Sequence, residues 1–185
     1  EIELSKRDYK SAKNYFQLVL DNQNTEKPVF NRALLGIGIA EYHLNDYRNS
    51  LKHLNQLDNS DPSFEAQKLN FFIAENHFAL NNYSAALNRY NFAAGNDPEI
   101  NLQSVYGKAY CYFNSGDYEN AAIQFLDFVK KYKDDKRFSD AKLRLADSYF
   151  GSKNYSAASK IYEELFTADT RLSINPYARY QYAQA

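Results

Sequence analysis

Cysteine occurs once in the 185 residues, at Cys111. An internal disulfide is therefore excluded, and no Cys/His spacing resembles a zinc site. Cys111 lies in an apolar helical run and reads as a small buried hydrophobe. The six glycines are scattered, so there is no glycine-rich phosphate loop. Gly36 and Gly38 fall inside a helical pattern, while Gly107 and Gly151 read as close packing or helix ends. No apolar run approaches the ~20 residues that a membrane-spanning helix requires. A surplus of one charge is missing too: Lys+Arg number 22 against Asp+Glu 23, a net charge of -1. Binding a phosphate backbone needs clustered Lys and Arg, so nucleic acid is not an expected partner. The densest charged stretch, Lys130 to Arg137, holds both signs and reads as a solvated turn. No segment sustains period-two alternation, so strands are not expected.

Catalytic groups are equally sparse. His43, His53 and His77 are the only imidazoles, and His43 and His77 have no acidic or Cys partner at ligand spacing. The acid pairs Glu163-Glu164 and Asp134-Asp135 are adjacent, and adjacent helical residues do not share a face. Catalytic carboxylates converge in a sheltered cleft instead. No catalytic residue, metal or cofactor is expected.

Aromatics are plentiful at 16% and the apolar set reaches 44%, ample for a core. Within them a dipeptide recurs: Asp8-Tyr9, Asp46-Tyr47, Asn82-Tyr83, Asp117-Tyr118 and Asn154-Tyr155. The Tyr positions are separated by 38, 36, 35 and 37 residues, so one unit is repeated along the chain. Each Asp or Asn reads as an N-cap, accepting from the free amides of the helix that follows. Pro28, Pro62, Pro98 and Pro176 each stand just before a new helical pattern. Asp61-Pro62 and Asp97-Pro98 place an acidic cap beside a Pro at the first helical position, where its missing N–H costs nothing. The chain thus reads as helix, short turn, helix, longer turn, repeated. The expected fold class is all-α, an array of antiparallel helix pairs. The expected divisions are a partial repeat at 1–27, repeats at 28–61, 62–97, 98–135 and 136–174, and the first helix of a further repeat at 175–185.

Small residues recur where helices must approach. Ala12, Ser50, Ala86, Ala121 and Ala158 each follow the repeated Tyr by three positions, and Phe16, Leu54, Tyr90, Phe125 and Tyr162 come one turn later. Gly38, Ala74, Ala109 and Ala146 take the small position in the first helix of each pair. These residues resemble the tetratricopeptide pattern W-x2-L-G-x2-Y, then A-x3-F, then P. Ala12 with Phe16, Ala86 with Tyr90, Ala121 with Phe125 and Ala158 with Tyr162 match its second half, and Ser50 with Leu54 is the weak copy. Leu145-Ala146 with Tyr149, Ile37-Gly38, and Ala109 with Tyr112 match most of the first half. The Trp is absent throughout, and Glu41 and His77 replace the Tyr. The resemblance covers nearly the whole chain and implies a right-handed α-α superhelix. The units exceed the 34-residue norm, which implies lengthened turns between pairs, similar to bacterial envelope-assembly repeats. Partial units at both ends imply a longer parent protein.

In this family the first helix of each pair lines the concave side. Carried over, that stripe includes Leu35, Ile39 and Tyr42; Phe71, Glu75 and Phe78; Tyr106, Tyr110 and Phe113; and Leu143, Asp147 and Phe150. Tyr42, Phe78, Phe113 and Phe150 form an aromatic ladder suited to partner contacts. The same ladder would equally suit packing between neighbouring helices. The carboxylate-clamp mode of the family needs cations and an amide, but the corresponding Leu35, Ile39, Phe72, Gln103 and Gly107 offer no cation. The resemblance implies a non-enzymatic scaffold that binds a protein or peptide segment in its groove. The partner-binding candidates are Tyr42, Phe71, Glu75, Phe78, Tyr106, Tyr110, Phe113, Asp147 and Phe150. The expected setting is a bacterial periplasmic or envelope assembly, with the cytoplasm as the alternative compartment. The alternative function is a regulatory module of a multidomain sensor or transcriptional regulator.

Overall fold

The computed structural model describes residues 8–168 and 176–185. The expected helix end before Asp8, residues 1–7, lies outside them, as does Asn175. All regular structure among the described residues is helical: α1 (Tyr9–Asp21), α2 (Lys27–His43), α3 (Tyr47–Ser60), α4 (Ala66–Ala79), α5 (Tyr83–Phe92), α6 (Pro98–Asn114), α7 (Tyr118–Lys131), α8 (Phe138–Gly151), α9 (Tyr155–Ala168) and α10 (Pro176–Gln184). They belong to two compact units, Glu1–Ser104 and Val105–Ala185, whose boundary falls within α6.

The turns within pairs explain the recurring dipeptide more fully than capping alone. In the four described turns within pairs, the residue before the Asp/Asn adopts the left-handed conformation: Asn45 at φ 63°, Asn81 at 61°, Gly116 at 80° and Lys153 at 63°. The next amide then reaches back to close the preceding helix. Asp46 donates to the Glu41 carbonyl at 2.9 Å, Asn82 to His77 at 2.8 Å, Asp117 to Tyr112 at 3.0 Å and Asn154 to Tyr149 at 2.8 Å. This is the Schellman closure. One Asp/Asn residue therefore ends one helix with its backbone and begins the next.

The side-chain caps form only in part. The Asp8, Asp117 and Asn154 side chains accept from Ser11, Asn120 and Ala157 amides at 3.2, 3.2 and 3.3 Å. Asp46 and Asn82 make no such bond. The Asp46 carboxylate is instead taken by the Asn49 amide nitrogen at 2.9 and 3.1 Å, and by Lys13 at 3.4 Å. Proline needs one correction as well. Pro98 opens α6, and Asp97 accepts from the Glu99 and Ile100 amides at 2.9 and 3.1 Å. Pro62 does not open a helix: α4 starts at Ala66, behind Glu65 at φ 42°. The Asp61 carboxylate binds Asn31 at 3.1 Å and Ser63 at 2.8 Å rather than capping. Part of the added unit length also enters helices: α2 and α6 have 17 residues, against 14 in α4 and α8.

The N-terminal unit packs around Leu34, Leu35, Leu54, Leu57, Leu69 and Ile73. The C-terminal unit includes a cluster of Leu143, Ala146, Ala158, Tyr162, Leu165 and Ala178, which seats α10 on α9. The expected small positions Ala12, Ser50, Ala86, Ala121 and Ala158 are all buried. A Cβ on Gly38 would stand 2.5 Å from the Leu54 side chain, and one on Gly36 2.3 Å from the Phe16 ring. Glycine is thus what lets α2 approach both α1 and α3. Ser50, the weak copy, uses its hydroxyl: it donates to the Gly38 carbonyl at 2.7 Å and accepts from Asn76 of α4 at 2.8 Å. Cys111 is fully buried.

Candidate interaction face

The first helices are α2, α4, α6 and α8, and each carries an aromatic near its C-terminal end. Tyr42, Phe78, Phe113 and Phe150 are all half-buried. Each ring meets the repeated Tyr of its own pair: Tyr42–Tyr47 at 5.9 Å, Phe78–Tyr83 at 5.6 Å, Phe113–Tyr118 at 5.5 Å and Phe150–Tyr155 at 5.3 Å. Such tilted and edge-on contacts are the favoured arrangements of aromatic pairs. Tyr118 also rests where a Gly151 Cβ would be, 2.6 Å away. Close packing at the helix end therefore accounts for Gly151.

In the N-terminal unit, Phe71 is buried, and Glu75 stands half-buried beside it. Tyr42 donates to Glu75 Oε2 at 2.6 Å and Tyr90 donates to Oε1 at 2.5 Å. Burial, with the Glu75 charge second, raises the Tyr42 phenol well above its ordinary value, so it stays a donor. The neighbouring Glu41 is buried and fully engaged: Lys13 lies at 2.9 Å and His53 Nδ1 at 2.8 Å. His43 stacks on Tyr9 at 4.2 Å. His77 lies below its ordinary pKa, through burial and then Arg89.

In the C-terminal unit, Tyr106 and Tyr110 converge on one oxygen of Asp140, Tyr106 at 2.5 Å. Burial and that hydrogen bond hold both phenols above their ordinary value. Asp147 is buried and accepts from Tyr162 at 2.6 Å and from Tyr177 of α10 at 3.3 Å, and Arg144 pairs with it at 2.7 Å. Its carboxyl is raised above the usual range because burial outweighs those three partners. The Arg144 guanidinium also lies 5.7 Å over the Phe113 ring. The stretch from Lys130 to Arg137, expected as a solvated turn, is only partly that. Arg137 pairs with Asp135 at 2.7 Å, both half-buried, and lies 5.8 Å over the Tyr106 ring.

The candidates thus fall into groups, Tyr42, Phe71, Glu75 and Phe78 in one unit and Tyr106, Tyr110, Phe113, Asp147 and Phe150 in the other. Sequence reasoning missed Tyr90, Asp140, Arg144, Tyr162 and Tyr177. A signal existed for some of them: Tyr42–Glu75, Tyr106–Asp140 and Asp147–Tyr177 are 33, 34 and 30 residues apart, close to one unit. Among the described residues, no group of three His, Cys, Asp or Glu could hold a metal, and no helix is long and apolar enough to cross a membrane.

Comparison with known proteins agrees with the helix pairs. The tetratricopeptide repeat family model matches residues 2–63 and 73–136. No curated protein sequence matches. Among solved structures, a tetratricopeptide repeat protein from Parabacteroides merdae ATCC 43184 superposes with a TM-score of 0.72 at 17% identity, over 98% of this chain and 67% of that one. The Q17M structure of nearly identical TPR-like repeats, from a Podosopora anserina protein described as a kinesin light chain, gives a TM-score of 0.65 at 14% identity, over 88% and 90% of the two chains. At those identities the likeness is one of fold, and the fold is that of tetratricopeptide solenoids. Tetratricopeptide repeats are protein–protein interaction modules, and this chain belongs to the tetratricopeptide repeat family.

Proposed function

We propose that this chain is a non-enzymatic scaffold that docks a protein or peptide segment on the faces of its first helices, within a bacterial multiprotein or envelope assembly. One observation carries the reading. Four first helices present an aromatic at the same position, each half-buried and each held by its own pair's tyrosine. Aromatics already ordered in this way lose little rotamer freedom when a partner covers them. The bacterial envelope setting draws support from the lengthened units and from an Asn-, Lys- and Tyr-rich composition.

The test is affinity capture with the wild-type chain, a Phe78→Ala/Phe113→Ala variant, and a Tyr15→Ala/Leu18→Ala control. Tyr15 and Leu18 are exposed on α1, 61% and 67%, and α1 is not a first helix. A partner kept by wild type and control but lost by the first-helix variant is the expected result. Retention by all three proteins would overturn the reading.

A further inference from the structure

Glu75 is a half-buried carboxylate without a counter-charge. Its oxygens each receive one phenol hydroxyl, from Tyr42 and Tyr90. No described Lys, Arg or His forms an ion pair with it. Glu41, Asp58 and Asp147, also withdrawn from solvent, each hold a cation: Lys13, Arg89 and Arg144. An ionised carboxylate offers about four acceptor positions. At Glu75 two are filled, both by neutral donors.

The repeat itself supplies the comparison. Glu75 follows the small residue Ala74 of α4 as Asp147 follows Ala146 of α8. Both acids accept a tyrosine from their own second helix, Tyr90 or Tyr162, and a tyrosine from a neighbouring first helix, Tyr42 or Tyr177. Asp147 has a third partner, the guanidinium of Arg144 one turn earlier, which also covers the Phe113 ring. The same place in α4 is Phe72, which carries no charge.

We propose that the docked segment supplies this missing cation, an arginine side chain whose guanidinium pairs with Glu75 while its stem lies against Tyr42 and Phe78. The proposal rests on the first-helix face being the docking face, and it names the chemistry that face selects. Arginine suits the site because its planar fork can address both oxygens at the acceptor positions the tyrosines leave open. A charge pair with one partner already half-desolvated is also where electrostatic complementarity contributes most to specificity.

The experiment uses the full 185-residue chain and fluorescence anisotropy. The probe is a labelled, end-blocked peptide of alternating Leu and Arg. Its twin carries citrulline, the neutral isostere, at every Arg. The Arg peptide is expected to bind about tenfold tighter than the citrulline peptide, a difference of about 1.4 kcal/mol. Glu75→Gln removes that advantage, and Glu119→Gln, at an exposed acid, leaves it unchanged. Equal binding of the two peptides to the wild-type chain would overturn the proposal without relying on any variant. So would an Arg advantage that survives Glu75→Gln. In either case, loss of binding in Phe78→Ala leaves the docking face standing, whereas binding that survives Phe78→Ala rejects the face as well. Failure of every peptide to bind rejects both.

Discussion

Gly38→Ala should destabilise the N-terminal unit, although alanine is the better helix former. Gly38 lies inside α2, so the propensity gain is about 1 kcal/mol. Against it stands sterics: the new Cβ would lie 2.5 Å from Leu54 Cδ2 and 2.6 Å from Cγ. Leu54 is fully buried and has no solvent to swing into. Overpacking of this kind costs about 1–3 kcal/mol, so the clash outweighs propensity and the net loss is about 1 kcal/mol. The Leu54→Ala background reverses the sign. That truncation alone costs about 2–5 kcal/mol and opens the space that Gly38→Ala then fills. In that background Gly38→Ala should stabilise by about 1 kcal/mol or more. The assay is a double-mutant cycle in urea followed by far-UV circular dichroism, with amide exchange across α2 and α3 to localise the change. If Gly38→Ala stabilises the wild-type chain, or acts identically in both backgrounds, close approach is not why glycine is there.

Three further outcomes follow from the turns and the buried groups. Lys153 is held at φ 63°, so Lys153→Gly should raise the urea midpoint by the equivalent of about 1 kcal/mol, while Gly116→Ala, at φ 80°, should lower it by a similar amount. Burial raises the Asp147 carboxyl above its ordinary value, so the folded state holds its proton more tightly than the unfolded state does. Its contribution is therefore fully present below that value and declines as pH rises through the folded pKa. Urea midpoints of the wild-type chain, measured against Asp147→Asn, should fall relative to the variant as pH rises through that window, and a parallel pair of curves would refute it. Cys111 is fully buried, so a thiol reagent should label it slowly in buffer and rapidly in urea, and fast labelling of the folded chain would contradict its placement.

The sequence revealed the helix pairs because the features that set them are local. A Schellman turn and a cap each lie within a few residues, and five copies multiply a weak pattern into a strong one. Even there one residue did two jobs, and only the backbone showed it. The amides of Asp46 and Asn82 close the preceding helix, while their side chains form no cap bond to the next. Pro62 failed for the related reason that Asp61 had a better partner, Asn31, in the preceding first helix. The candidate face was less legible because its chemistry is set between helices. Glu75 and Asp147 stand among the partner-binding candidates, yet each has two tyrosine donors, and Asp147 has its own arginine as well. Spacing along one helix cannot reveal a hydroxyl that arrives from another pair. A comparison of acids and tyrosines one unit apart could have, since each repeat presents the same face at nearly the same offset. The difference between the two acids then becomes informative. In a repeated scaffold, a position where one copy is internally neutralised and another is not marks where the second copy departs from self-sufficiency, and at Glu75 that departure is a single positive charge.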